Sequence, residues 1–214
     1  MVEDILLENI RQLGYLLSAV LIPFATLILG RKVIKEKRST GQYNYIRLMT
    51  FGIFFCFATM SILEYIVELS LFPIIGQIFG YNIESVNLYS ILIGTMVSIG
   101  LSLVFYANKW EPLYLVSLFL FGGMVIFYYL TGFDAWIEMY ILIAGICSLG
   151  FMYFTTFRVK DNGAFGMAIF FTLAFSTLII EVSFINQIVI LSYNIFVLIF
   201  ALGFFKPFKE EVIS

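Results

Sequence analysis

Leu48–Leu69 reads LMTFGIFFCFATMSILEYIVEL, 22 residues that carry no charge before Glu64. At 1.5 Å of rise per residue, a helix of about 20 apolar residues crosses the ~30 Å hydrocarbon core of a bilayer. The stretch therefore reads as a membrane span. Two carboxylates stand at its far end, Glu64 and Glu68, and four-residue spacing stacks them on one helix face. A membrane-grade segment that keeps two acids poses the functional question directly.

The rest of the chain has the same character. Hydrophobic residues make up 62% of its 214 positions and charged residues 12%, about half the charged share of a soluble domain. Too little polar surface remains to cover a water-exposed core, so the composition is that of a polytopic membrane protein. Histidine is absent. That removes His-based zinc sites, Ser-His-Asp and Cys-His nucleophiles, His-ligated haem and phosphorelay on histidine. Cys56 and Cys147 each lie in an apolar segment and read as buried, reduced packing residues, with no CxxC pair between them. No cofactor, metal or nucleic-acid partner is expected.

Seven stretches are long enough to span: Leu13–Gly30, Leu48–Leu69, Leu88–Ala107, Leu113–Leu130, Trp136–Phe157, Phe165–Val182 and Phe184–Phe205. The link Ser70–Asn87 holds Pro73, Gly76, Gly80 and Asn82, too many breakers for a span, and reads as a loop or short interfacial helix. Basic residues set the direction. Arg31, Lys32, Lys35, Lys37, Arg38 and Arg47 flank the first loop, Lys109 lies in the third, Arg158 and Lys160 in the fifth, and Lys206 and Lys209 in the tail. The alternate side has Arg11 against Glu3, Asp4, Glu8, Glu84 and Asp134. By the positive-inside rule the N-terminus is outside and the C-terminus inside. The acidic start MVEDILLENIRQ lacks the basic region of a cleaved signal peptide, so the first span is expected to stay as an anchor. Residues 1–214 are expected to form a single seven-helix domain in the plasma membrane, with no soluble domain.

Small residues recur at helical spacing. Gly94, Ser98 and Ser102 mark one face of span three, and Ala168, Thr172 and Ser176 one face of span six. Such stripes let helix backbones approach closely, and Gly122, Gly123, Gly145 and Gly150 read the same way. Spans one to three and five to seven also share a layout, compatible with a three-plus-one-plus-three parallel repeat. TFGIFFCFATMSILEY and AFGMAIFFTLAFSTLIIE both place a glutamate near their outer end.

Counted from the inner boundary, Glu64 and Glu181 each lie sixteen residues into their spans, roughly 24 Å of a ~30 Å core. Glu68, Glu138 and Asp134 read as solvated rim residues. An ionised acid facing lipid costs on the order of 2.5–3.5 kcal/mol, so Glu64 and Glu181 should face the bundle interior or a wet cavity. There they are neutralised by a proton, held by hydrogen bonds, or paired with a cation or amine from outside. The expected pocket lies between spans two, three, six and seven. Glu64 and Glu181 are its anchors, supported by Tyr65, Asn186, Gln187 and Asn194. Carboxylates suit an amine or cation, and aromatic walls suit an apolar group.

In span number, orientation and loop length the chain resembles the microbial rhodopsins in architecture. Span seven, FINQIVILSYNIFVLIFALGFF, has no lysine for a retinal Schiff base, and span three, LYSILIGTMVSIGLSLVFYA, has no acidic counterion. The layout is also similar to that of the SWEET-type sugar transporters, without their Pro-Gln motif, and to seven-span sensor modules of prokaryotic signalling kinases, without a kinase. Architecture alone does not license function; the anchored acids and aromatic walls lead to a non-enzymatic, receptor-like protein that binds a ligand from outside. The alternative is a small proton- or cation-coupled transporter using Glu64 and Glu181. Besides the lipid bilayer and a small molecule or cation, the expected partner is anionic lipid or a cytoplasmic signalling protein at the basic loop Arg31–Arg47.

Overall fold

The computed structural model describes residues 2–68, 85–131, 135–160, 162–179 and 183–203. Seven helices and one 3-10 turn account for nearly all of these, and there is no strand among them. The helices are α1 (Val2–Thr40), α2 (Tyr45–Glu68), α3 (Ser85–Ala107), α4 (Val116–Thr131), α5 (Ala135–Val159), α6 (Asn162–Ile179) and α7 (Ser183–Leu202). Six of them are long and apolar enough to cross a membrane, whereas the apolar stretch of α6, Asn162–Thr177, is shorter. The breaker-rich part of the link after α2, residues 70–84, and the outer glutamate Glu181 lie outside the described residues, while residues 85–87, read from sequence as part of that link, instead open α3.

The helix bounds follow the apolar stretches closely, with one exception. The basic residues Arg31, Lys32, Lys35, Lys37 and Arg38 were expected to flank a loop, but α1 continues unbroken through them to Thr40. At 39 residues, α1 is about 58 Å long, well beyond the ~30 Å it needs to span. Pro23 sits inside it without ending it, as proline in an apolar helix can when neighbouring helices support the backbone. Lys32 explains part of the extension. Its ammonium donates to the Ala201 carbonyl at 2.7 Å, capping the negative end of α7, while Gly203 turns the chain away with φ +98°. Arg47 closes the α1–α2 connection by pairing with Glu36 at 3.0 Å.

Consecutive neighbours α1, α2, α3, α5, α6 and α7 pack side by side, and α7 returns to α1 to close a ring of six. Helix α4 lies outside it, against α3 and more lightly against α5. Its outer face, including Leu118, Phe119, Ile126 and Tyr129, is exposed, and Ser117 and Met124 are its buried residues. An exposed apolar helix face is stable against lipid tails rather than water.

The small-residue stripes serve close packing. A Cβ at Gly94 would overlap the Met124 sulfur of α4, and one at Gly145 would overlap the Phe175 ring of α6. Ser102 donates to Ser117 at 2.6 Å, tying α3 to α4, and Tyr153 and Thr172 share a 2.7 Å hydrogen bond between α5 and α6. Gly122 and Gly150 differ: a Cβ at either meets nothing within 4 Å. Cys147 corrects a second expectation. Cys56 is buried as its segment suggested, but Cys147 is exposed, because it falls on the outward face of α5 next to exposed Ile143 and Ile146.

The centre of the ring is aromatic. Phe54 of α2 stacks on Phe170 of α6 with centroids 5.1 Å apart, and on Phe200 of α7 at 5.4 Å. Phe57, one turn further along, meets Phe170 and Tyr193 edge-on at 4.9 and 5.7 Å. Phe54 is fully buried, whereas the adjacent Phe55 is 58% exposed. Phe54→Ala should therefore lower unfolding stability in detergent by about 3 kcal/mol or more, and Phe55→Ala by less than about 0.5 kcal/mol. Chemical denaturation monitored by circular dichroism measures both.

Candidate functional site

Glu64 lies on a face of α2 that repeats at helical spacing. Phe57, Met60, Ser61 and Glu64 follow one another at intervals of three, one and three, which brings them to one side. On α7 the same rule groups Asn186, Ile190 and Tyr193. These two faces meet residues from the early part of α1 and α3 and the late part of α6. Together they enclose a cavity of about 150 Å³ lined by Tyr15, Phe57, Met60, Ser61, Glu64, Ile93, Met96, Ala174, Phe175, Thr177, Asn186, Ile190 and Tyr193. The cavity sits at the bundle end where α1 begins and α2 ends. The aromatic stack of Phe54, Phe170 and Phe200 fills the bundle below it.

Glu64 is half-buried and makes no hydrogen bond or ion pair among the described residues. The hydroxyls nearby are already engaged. Ser61 donates to the Phe57 carbonyl at 3.0 Å, and Thr177 to Ala174 at 2.7 Å. An acid in an aromatic-walled cavity, with its own helix satisfied around it, is available to something that enters. The walls supply the rings of Tyr15, Phe57, Phe175 and Tyr193 and the thioethers of Met60 and Met96. Rings offer their negative faces to a cation, and methionine adapts to irregular ligand shapes.

A polar seam between α1 and α7 adjoins this cavity. The Ser18 hydroxyl donates to the Gly14 carbonyl at 2.9 Å, so its oxygen accepts from Asn194 Nδ2 at 2.8 Å and from the Tyr193 hydroxyl at 3.1 Å. Gly14 lets α1 come close to α7 here: a Cβ would stand 3.0 Å from Gln187 Oε1. The oxygens Asn186 Oδ1, Gln187 Oε1 and Asn194 Oδ1 are buried without a hydrogen-bond partner among the described residues. Buried acceptors of this kind are where ordered water or a ligand N–H binds.

The residues expected from sequence separate into three groups. Glu64 and Asn186 line the cavity. Gln187 and Asn194 are buried in the seam with α1 instead, because a one-residue step turns a helix face by about 100° and carries them off the Asn186–Ile190–Tyr193 side. Tyr65 leaves the cavity by the same step from Glu64. Glu181 lies outside the described residues. Sequence reading omitted Tyr15, Phe57, Ser61, Phe175 and Tyr193 from the site. The heptad-like spacing back from Glu64 points to Phe57 and Ser61, but nothing local in the sequence brings α1 to the cavity. Searches of family models, curated proteins and solved structures find no match to this chain.

Ser18→Ala removes the acceptor of two buried donors and is expected to destabilise by about 1 kcal/mol, a typical interhelical value in membranes. Thr59→Ala is the control, since Thr59 is bonded only to the Phe55 carbonyl of its own helix and should change stability by less than about 0.5 kcal/mol. Paired unfolding curves check the difference.

Proposed function

We propose that this chain is a non-enzymatic, receptor-like protein of the plasma membrane that binds a small organic cation or amine from outside. The observation that carries the reading is Glu64: an acid without a protein partner among the described residues, in a cavity walled by four aromatic rings. The carboxylate supplies charge, the rings supply cation–π attraction, and Asn186 Oδ1 offers an unused acceptor for an ammonium N–H. A volume of about 150 Å³ suits a compact head such as a methylated ammonium rather than a sugar or peptide.

The orientation follows from charge. Arg31, Lys35, Arg38, Arg47, Lys109, Arg158 and Lys160 gather at the bundle end opposite the cavity, so that end is cytoplasmic and the cavity faces outward, with all seven helices as spans. The alternative is a proton- or cation-coupled transporter using Glu64 and Glu181. The seam of Ser18, Gln187 and Asn194 favours it, since unfilled acceptors lead inward from the cavity. The filled aromatic centre weighs against it.

Trimethylammonium, a compact cation that keeps one N–H for Asn186, is the probe of choice. It should raise the unfolding temperature of the wild type in detergent, and ligand at 100 times its Kd stabilises by about 2.7 kcal/mol. Neutral tert-butanol at equal concentration should not, and Glu64→Gln should abolish the effect while folding normally. Gly145→Ala should weaken it through shape, by driving the Phe175 ring toward the cavity. Absence of any shift in the wild type refutes the ligand class.

Topology is tested separately, with Cys56 and Cys147 replaced by serine. A cysteine at Asn9 should react with an impermeant maleimide on intact cells, and one at Gly41 only after lysis. The reverse pattern would overturn the orientation.

A further inference from the structure

We propose that the end of α3, the following turn and α5 form a binding site for an anionic phospholipid. The site lies at the bundle end opposite Glu64, shares no residue with that cavity, and rests only on the membrane reading of the chain. Helix α3 ends at Ala107, and the 3-10 turn Glu111–Leu113 then carries the chain to α4. Between this turn and α5 runs an open groove of about 460 Å³ lined by Lys109, Trp110, Pro112, Leu113 and Phe151. It is an open surface groove rather than an enclosed pocket, and its lining is apolar apart from one ammonium.

A second cation is held beside that groove by a buried scaffold. Asn108 is 9% exposed. Its amide nitrogen donates to the Val104 carbonyl at 2.9 Å and to Thr155 Oγ1 at 2.7 Å. Its oxygen then accepts from Arg158 Nη1 at 3.3 Å. The guanidinium rests over the Trp110 ring, 5.6 Å from its centroid, and Trp110 in turn packs on Phe105, Phe151 and Phe154. Arg158 is thus placed by two helices and a ring, yet neither it nor Lys109 forms an ion pair among the described residues. Among the described residues the acid on the groove's turn is Glu111, which is exposed.

Lys109 adds a backbone observation. It closes α3 in the left-handed region with φ 55°, a conformation that favours glycine or asparagine. The chain bears that strain and places an ammonium at the mouth of the groove. A phosphate between Lys109 and Arg158, with an acyl chain along Leu113, Trp110 and Phe151, satisfies both cations and covers the exposed apolar wall. A zwitterionic headgroup brings its own ammonium to the same place and is held less well.

The chain has two tryptophans, which makes the site observable. Trp136 opens α5 at the far end, 22 residues from Arg158, or about 33 Å along the helix, so Trp136→Phe leaves Trp110 as the single reporter. The protein is reconstituted in phosphatidylcholine containing phosphatidylglycerol or phosphatidylcholine brominated near the acyl carbonyl. The expected result is quenching of Trp110 by the brominated phosphatidylglycerol at about tenfold lower mole fraction, a conservative figure for two basic groups near the membrane surface. Lys109→Gln/Arg158→Gln should erase the preference and leave quenching by phosphatidylcholine unchanged. Should that variant misfold, Lys109→Gln alone must still reduce the preference, since the Lys109 side chain makes no hydrogen bond or ion pair among the described residues. Equal quenching of the parent by both lipids overturns the site. So does a preference that survives both variants and disappears in Arg31→Gln/Lys35→Gln/Arg38→Gln, which would move the lipid to α1. Quenching by neither lipid would sink the membrane reading itself.

Discussion

The stack of Phe170, Phe54 and Phe200 is the contact on which the bundle depends. It joins α6, α2 and α7 across the middle of the ring. In lipid, moving a phenylalanine from the tails to the interior gains little hydrophobic free energy, so association relies on close packing and hydrogen bonds. Flat rings at 5.1 and 5.4 Å with interplanar angles below 20° supply that packing at the point where three helices converge. Their position also sets the depth of the cavity. Phe57 and Tyr193 touch the stack from one side and line the cavity on the other.

Hydroxyl groups show how the same medium manages polarity. Ser18, Thr26, Thr50, Ser61, Thr95, Ser98 and Thr172 each donate to the carbonyl four residues earlier. A side chain satisfied on its own helix can face any neighbour at no polar cost. The contacts that fix helix pairs are the few that reach further. Thr26 also contacts the Phe54 carbonyl at 3.0 Å, Ser18 receives Asn194, and Lys32 caps α7. These bonds hold α1 against α2 and α7 along its length, and so close the ring.

The two ends of the bundle then differ in what remains unsatisfied. At the cavity end, Glu64, Asn186 Oδ1 and Gln187 Oε1 are acceptors without a hydrogen-bond partner among the described residues. At the opposite end, Arg31, Lys35, Arg38, Lys109 and Arg158 are cations without an ion pair among the described residues. Each end thus presents a different class of charge, acidic and acceptor-rich at one and basic at the other.

By itself the sequence determined the all-helical, apolar architecture and nearly every helix boundary, because both depend on local length and hydropathy. It also singled out Glu64, since the cost of an acid in an apolar run is visible without any neighbour. Tertiary structure decided what depends on rotation and partnership. Asn186 reaches the cavity while Gln187, one position later, does not, and Tyr15 joins the site only because α1 packs between α2 and α7. The stripe Gly94–Ser98–Ser102 declared a close contact, but not that α4, outside the ring, would provide it. Helix periodicity tells which residues share a face; only the packed ring determines what that face meets.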